Sequence, residues 1–248
     1  MISESQRHKR SLYHWFAGTL NHQVSCRSHS IQIIMSYDGF KALSVDSKAE
    51  DCRKLYTAWT ETYEKFMIND LKYGGPVATV DLLSQHLQAL GKGTDVRILD
   101  LGCGSGLVAE ELQKRGYNNI DGVDLCAEIM EKAKEKGVYR TLTQGEMASE
   151  GCGKLGVGAD QYDGATCVGV LTHGHVKSKG FDDFVHVLKP GGLACFTVRR
   201  LVWEDPSYGY ATKMDELCNA KKWKLVEKKY VENYTIDDGC WLFCCQIL

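Results

Sequence analysis

The chain has 248 residues, of which 44 % are hydrophobic and 25 % are charged, a composition typical of a globular protein with material for one substantial core. Its formal net charge of −2 gives no general attraction to nucleic acid or to an anionic membrane. No apolar run approaches the ~20 residues that a membrane-spanning helix needs. We therefore expect one α/β domain, monomeric, with no membrane or nucleic-acid partner.

The eleven cysteines are scattered along the chain. Their number is odd, no CxxC pair is present, and no cysteine–histidine spacing suits zinc. This pattern predicts free, buried thiols and no metal site. Because such thiols persist in a reducing compartment, it also favours a cytoplasmic protein.

Residues 1–36 differ from the rest of the chain, because they contain several basic residues and a single acidic one, Glu4. Their apolar residues show no helical or strand period. Three interpretations stay open: a disordered tail, an import sequence, or an extension upstream of a start at Met35. We favour the tail. The predicted organisation is a tail over residues 1–48 and one domain over residues 49–248.

Two helices are predicted at the start of that domain, over residues 49–91. Apolar residues recur at helical spacing as far as Asp70 and place Tyr56, Trp59 and Tyr63 on one face. Gly74 and Gly75 then interrupt the pattern before a second helix. These helices precede the first predicted strand, so they can cover a ligand without joining the sheet.

Strands and helices alternate from residue 96 onward. Short apolar runs predict strands at 96–101, 120–123, 138–143, 165–170 and 193–198, and helical stretches lie at 107–115, 127–136, 177–188 and 212–221. Two last runs, 224–234 and 240–248, are joined by a turn sequence and predict an antiparallel hairpin. The pattern predicts a Rossmann-like, doubly wound sheet of seven strands, mostly parallel, with helices on both faces.

A glycine-rich loop follows the first of these strands, in the sequence VRILDLGCGSGLVAEEL over residues 96–112. Glycines at such a turn let the backbone approach a ligand closely, and the helix that follows offers unpaired amides. A dinucleotide fingerprint calls for glycine or alanine where this chain has Leu107, and a phosphate-binding P-loop calls for GK[ST]. The acid at the strand end, Asp100, instead fits a loop that binds the amino-acid end of S-adenosylmethionine.

The second strand also ends in an acid, Asp124. A carboxylate there can accept hydrogen bonds from both ribose hydroxyls of an adenosine, and it can also cap the helix that follows. Leu125 and Cys126 would then line the adenine. After the third strand, Glu146 or a backbone amide could meet the adenine amine; many related loops carry aspartate here, so this role stays open.

The fourth strand leads into Thr172-His173-Gly174-His175-Val176. Either histidine could act as a base or orient a methyl acceptor, and each could equally brace the helix that follows. The chain lacks the (D/N)PP(Y/F) tetrapeptide of enzymes that methylate exocyclic or amide nitrogens.

In these features together, the chain resembles the class I S-adenosylmethionine-dependent methyltransferases. More narrowly, it resembles the methyltransferase-like family encoded in the Williams–Beuren syndrome chromosome region, over residues 49–248. The resemblance implies S-adenosylmethionine as the cofactor and an N-terminal helix that closes over it, although aromatic residues at this spacing also suit a core. The predicted cofactor site consists of Tyr56, Trp59, Tyr63, Asp100, Gly102, Cys103, Gly104, Gly106, Asp124, Leu125, Glu146, Met147 and Val168, with His173 and His175 as candidate catalytic residues.

The sequence thus predicts a methyltransferase that acts on a small molecule or a protein side chain by in-line displacement. A cofactor-binding sensor or scaffold without catalysis is the main alternative, because an intact loop and Asp124 would serve both. An NAD-dependent oxidoreductase is a second alternative, which the sequence favours less. The lysine-rich stretch 221–229 is interleaved with apolar residues, as in an edge strand, so we interpret it as a solvated face and not as a nucleic-acid site.

Overall fold

The computed structural model describes residues 43–236 and 238–248. Its strands are β1 (Ile98–Leu101), β2 (Ile120–Asp124), β3 (Thr141–Gln144), β4 (Tyr162–Leu171), β5 (Leu188–Arg199), β6 (Trp223–Val231) and β7 (Cys240–Ile247). Its α-helices are α1 (Ala49–Trp59), α2 (Tyr63–Lys65), α3 (Gly75–Ala89), α4 (Leu107–Lys114), α5 (Ala127–Lys136), α6 (Gly180–Val187), α7 (Arg200–Glu204) and α8 (Tyr210–Asn219). The predicted tail falls mostly outside the described residues.

All seven strands form one sheet in the order β3-β2-β1-β4-β5-β7-β6. Strands β1 to β5 are parallel, and β7 runs antiparallel to both β5 and β6. The predicted Rossmann-like sheet with one antiparallel edge hairpin is therefore confirmed. The strand order reverses between β1 and β4, and ligands of such sheets bind beside the carboxyl ends of the strands at this switch.

The core consists of two apolar layers. Phe181 and Phe184 of α6 pack with Phe196 of β5 in one layer. Leu83 of α3 and Leu112 of α4 belong to the other. Neighbouring residues of a strand point to opposite faces of the sheet, so β5 contributes to both layers. The sheet that leads to the ligand end is therefore packed on both faces.

The amino ends of the strands carry a buried polar network around Asp121, which is 2 % exposed. Its carboxylate accepts hydrogen bonds from Arg97 at 2.9 Å, Arg140 at 2.6 Å, Thr141 at 2.6 Å and Tyr162 at 3.0 Å. Burial alone would raise the pKa of Asp121, but these hydrogen bonds outweigh it and lower the pKa to about 2. The network lies away from the ligand end and fastens four segments together.

Several predicted boundaries change in the structure. The helix expected through residue 70 ends at Trp59, and the chain continues as α2 and a π-helical segment, Phe66–Asp70. Strand β3 begins three residues later than expected, and α6 is shorter at both ends than 177–188. The turn at 189–192 lies inside the β5 segment as a bulge, because Tyr162 and Gly164 of β4 pair with Leu188 and Leu193.

Gly74 and Gly75, which interrupt the predicted helical pattern, are positions of close packing in the structure. Neither has a positive φ. A Cβ atom on Gly74 would lie 2.8 Å from the carbonyl oxygen of Asn233, and one on Gly75 would lie 2.6 Å from the Tyr234 ring. These glycines are needed for close packing of the start of α3 against the 233–234 segment.

The structure describes ten cysteines, and all ten are free. In the same described ranges, no group of three or more potential ligands could hold a metal ion. No helix there is long and apolar enough to cross a membrane.

Candidate active site

A cavity of about 390 Å³ lies at the carboxyl ends of β1, β2 and β4. Its floor is the loop after β1, its sides are the segments that follow β2, β3 and β4, and helix α1 lies across it. Cavities of this size hold small-molecule ligands. Residues just before the predicted domain boundary also take part, because Leu43 is buried and Ser47 and Lys48 line the cavity.

The glycine-rich loop brings two of its three glycines to the cavity, Gly102 and Gly104. Gly102 has a φ of +74°, and a Cβ atom there would lie 2.1 Å from Cγ2 of Val170. Any side chain at that position would therefore collide with the side chain of Val170 at the end of β4. Gly106, with a φ of +94°, lies behind the loop against Val138, and Cys103 packs toward the sheet, 4 % exposed. These two shape the loop without lining the cavity.

Asp124 lines the cavity at the end of β2. One carboxylate oxygen accepts a hydrogen bond from the backbone N–H of Gly104 at 2.8 Å, and the other accepts one from the N–H of Cys126 at 2.9 Å. Burial raises the pKa of Asp124, against these amide hydrogen bonds. The side chain therefore braces the segment that leads into α5 and also faces the cavity, and its contact with a ribose stays a prediction.

Asp100 points inward, away from the cavity. Its carboxylate accepts hydrogen bonds from the hydroxyl of Tyr139 at 2.7 Å and from that of Thr166 at 2.8 Å. Burial raises its pKa to about 6, despite both hydrogen bonds. Asp100 therefore acts on the loop through Tyr139 in this structure, and direct contact with a ligand stays a prediction. Tyr139, which lies within the third predicted strand, was not among the predicted site residues.

The remaining predicted cofactor residues follow β2 or β3 or lie within β4, and all of them line the cavity: Leu125, Glu146, Met147 and Val168. Glu146 forms an ion pair with Lys154 at 3.2 Å. A Cβ atom on Gly169, which has a φ of +82°, would lie 2.7 Å from the hydroxyl of Tyr73. The pairing of β4 with β5 is irregular at this point, and the bulge turns the end of β4 toward the cavity.

The aromatic residues of the N-terminal segment divide into two groups. Tyr56 and Tyr63 line the cavity. Trp59 is 3 % exposed and packs against both tyrosines and Phe66, with ring centroids 5.4–6.2 Å apart. Helical spacing alone could not separate Trp59 from its neighbours, and the structure places it behind the cavity wall.

His175 lines the cavity and contacts helix α1. Its Nδ1 lies 2.7 Å from the carbonyl oxygen of His173, and its Nε2 lies 3.1 Å from the hydroxyl of Tyr56. Because a carbonyl can only accept, Nδ1 carries the proton and Nε2 accepts from Tyr56. Burial lowers the pKa of His175 to about 4, so the ring is neutral near pH 7.

The structure does not bring His173 to the cavity, and its side chain is exposed. The hydroxyl of Tyr208 accepts from the N–H of Gly174 at 3.0 Å and contacts Nδ1 of His173 at 3.1 Å. His173 therefore braces the loop after β4 through Tyr208, and not the helix that follows, which was the structural role considered for it.

Sequence reasoning also missed Cys52, Arg53 and Lys177, which line the cavity. The thiol of Cys52 contacts the carbonyl oxygen of Gly174 at 3.2 Å. Cys52 precedes Tyr56 by one helical turn, and that spacing was the available signal. Nothing in the local sequence marked Lys177.

Comparisons with known proteins agree with this geometry. Residues 98–192 match a family described as a methyltransferase domain. Human methyltransferase-like protein 27 is 35 % identical over 144 residues, 58 % of this chain and 56 % of that protein. The ubiquinone biosynthesis O-methyltransferase of Colwellia psychrerythraea is 32 % identical over 132 residues, 48 % of this chain and 50 % of that protein. The chain thus spans about half the length of these curated relatives.

Among solved structures, magnesium protoporphyrin IX methyltransferase from Synechocystis PCC 6803 with bound SAM has a TM-score of 0.52 and 16 % identity. The match covers 69 % of this chain and 79 % of that chain, and it concerns the fold. The predicted methyltransferase domain is confirmed over residues 98–192, and the human relative is likewise named a methyltransferase-like protein.

Proposed function

We propose that this chain, which carries a class I methyltransferase domain, transfers a methyl group from S-adenosylmethionine to a small-molecule or protein acceptor. The observation that carries the proposal is the Asp124 carboxylate, which faces the cavity beside the backbone of Gly104. A carboxylate at this position can accept hydrogen bonds from the two ribose hydroxyls of an adenosine, and the glycines beside it let the backbone approach the ligand closely.

The residues present fit this cofactor. Asp124 would hold the ribose, with Leu125 and Met147 beside the adenine and the backbone at Gly102 and Gly104 next to the amino-acid end. A cavity of about 390 Å³ suits a ligand of this size. The cofactor supplies a methyl group on a sulfonium, which is already activated for transfer.

The work left to the chain is mainly positioning and exclusion of water. Helix α1 lies across the cavity and is tied to the loop after β4 through Tyr56 and His175. The bulge at Gly169 turns the end of β4 toward the same space. A base is needed only if the acceptor arrives protonated, and Nε2 of His175 is then the candidate, once the Tyr56 hydroxyl has moved away.

Calorimetry followed by a turnover assay tests the proposal. S-adenosylmethionine and its demethylated product should bind with one molecule per chain, and NADH should bind weakly or not at all. Labelled methyl groups should then pass from the cofactor to an acceptor in a cell extract. Tighter binding of NADH would overturn the proposal, and binding without any transfer would instead favour the non-catalytic sensor or scaffold.

A further inference from the structure

The cavity carries positive charge that nearby carboxylates do not neutralise. Lys48 and Lys177 line it and are exposed. Among the ion pairs of the described residues, neither lysine has a partner. Arg53 and Lys179 also line the cavity, but they pair with Glu50 at 2.8 Å and with Glu150 respectively. The first two lysines are therefore available to an anionic ligand.

The lining carboxylates do not offset this charge. Asp124 is held by two backbone amides and is assigned to the ribose, and Glu146 is paired with Lys154. A carboxylate on the acceptor would therefore meet two lysines that are not already paired with an acidic side chain of the described residues. Most of the remaining wall is apolar or aromatic, as with Ala49, Val168 and Tyr63.

The groups that could take a proton from an acceptor are engaged, among the described residues that line the cavity. Nε2 of His175 accepts from Tyr56, and burial lowers the pKa of this histidine to about 4, which makes it a weak base. Burial raises the pKa of the Cys52 thiol to about 11, so it is protonated at neutral pH. An acceptor hydroxyl would find no strong base here.

On this basis, and resting on the proposed methyltransferase function, we propose that the acceptor is an apolar small molecule whose carboxylate is methylated to an ester. A carboxylate oxygen forms the new O–CH₃ bond as the S–CH₃ bond breaks, and the electron pair of the broken bond stays on sulfur. The negative charge of the carboxylate and the positive charge of the sulfonium disappear together. No proton is transferred, so no base is required.

Lys48 and Lys177 have two possible anionic partners, because the cofactor also ends in a carboxylate. The two assignments differ in which substrate is affected by removing a lysine. A lysine that binds the acceptor changes the KM of the acceptor, whereas one that binds the cofactor changes the KM of S-adenosylmethionine. At least one of the two is assigned to the acceptor.

The test uses the full chain, S-adenosylmethionine labelled in its methyl group, and separate small-molecule and protein fractions of a cell extract. Methyl esters release labelled methanol in mild alkali, whereas methyl ethers, amines and thioethers keep the label. We expect the label in the small-molecule fraction and its release as methanol. A base-stable label, or a label found only in protein, would overturn the carboxylate assignment and leave the proposed function intact. No transfer at all would overturn both.

Two variants refine the result once the labelled acceptor has been isolated. Lys48→Gln and Lys177→Gln remove one charge each, and Lys224→Gln on the exposed face of β6 is the matched control. At least one of the first two should raise the KM of the acceptor roughly tenfold, as expected for a lost hydrogen bond to a charged group. The same variant should weaken acceptor binding to the chain loaded with S-adenosylhomocysteine, measured by calorimetry. Unchanged acceptor KM and affinity in both variants would contradict the assignment.

Discussion

The hydroxyl of Tyr56 donates a hydrogen bond to Nε2 of His175 over 3.1 Å, and this bond joins helix α1 to the loop after β4. The two residues are 119 positions apart in the chain. The orientation of the bond follows from the other ring nitrogen, which donates to the carbonyl oxygen of His173. Together with the contact of the Cys52 thiol with the carbonyl oxygen of Gly174, this hydrogen bond closes the cavity on this side.

Tyr56→Phe removes that contact and keeps the ring. We expect S-adenosylhomocysteine to bind about twofold to twelvefold more weakly, because a net hydrogen bond of ~0.5–1.5 kcal/mol no longer holds α1 over the cavity. Calorimetry gives the affinity, and Tyr230→Phe on the β6 strand is the control. Equal affinity in Tyr56→Phe and the native chain would show that this bond does not contribute to closure.

Asp124→Ala should weaken binding of S-adenosylhomocysteine by roughly 1–3 kcal/mol, because charge-assisted hydrogen bonds to the ribose are lost. Calorimetry measures this loss, and Asp215→Ala on exposed α8 is the control. The variant also frees the amides of Gly104 and Cys126, so its melting temperature without ligand must be measured separately. If the affinity for S-adenosylhomocysteine is unchanged, Asp124 acts only as a cap for the helix that follows and does not bind the ribose.

The pH dependence of the reaction follows from the neutral state of His175. An ordinary histidine has a pKa of about 6.5 and loses its proton across the physiological range. Burial lowers the pKa of His175 to about 4, so the ring has already lost its proton at pH 5.5. We expect kcat/KM to show no histidine-type rise between about pH 5.5 and 8. A rise with a midpoint near 6.5 that disappears in His175→Gln would contradict this environment.

The features that sequence reasoning predicted correctly are encoded locally. Adjacent residues were enough to predict three features of the site. These are the strand with Asp100 at its end, the glycines after it, and the acid at the end of the next strand, Asp124. The same reasoning could not show that Asp100 turns inward, because its partners Tyr139 and Thr166 come from β3 and β4 segments. Which side chain on a helical face reaches the cavity also depends on packing between distant elements, as Trp59 illustrates.

Acid stability should depend on Asp121. Its native pKa of about 2 lies below the ordinary value of 3.8, so the carboxylate stabilises the fold above pH 3.8 and loses that contribution as pH falls toward 2. The difference corresponds to about 2 kcal/mol. Denaturant unfolding should therefore show Asp121→Asn to be less stable than the native chain at pH 7.

The difference in free energy of unfolding between the native chain and Asp121→Asn should then become smaller as the pH falls from about 4 to 2. Asp81→Asn serves as the control, because Asp81 pairs with Arg115 at the surface, where ion pairs contribute little. If this difference in free energy of unfolding stays constant down to pH 2, the stability of the network does not depend on the charge of Asp121.

The last prediction concerns movement of the segment 49–73 over the cavity. Beside the Tyr56 bond, it is held by the thiol of Cys52, which contacts the carbonyl oxygen of Gly174 at 3.2 Å, and by ion pairs of Glu61 with Lys132 and of Glu64 with Lys136. Because the side chains of these ion pairs are partly exposed, we expect the segment to open locally without global unfolding. Bound cofactor would add contacts to Tyr56 and Tyr63 and close it.

Amide hydrogen exchange should therefore slow across residues 49–73 when S-adenosylhomocysteine is added, while exchange in α8 stays the same. Tryptophan fluorescence should shift in the same titration, and Trp59→Phe should lose that shift, because Trp59 packs directly behind both tyrosines. The close packing of Gly74 and Gly75 means that opening involves the segment before them and leaves α3 in place. Slow exchange in the free chain that does not respond to the ligand would identify the segment as permanent core packing.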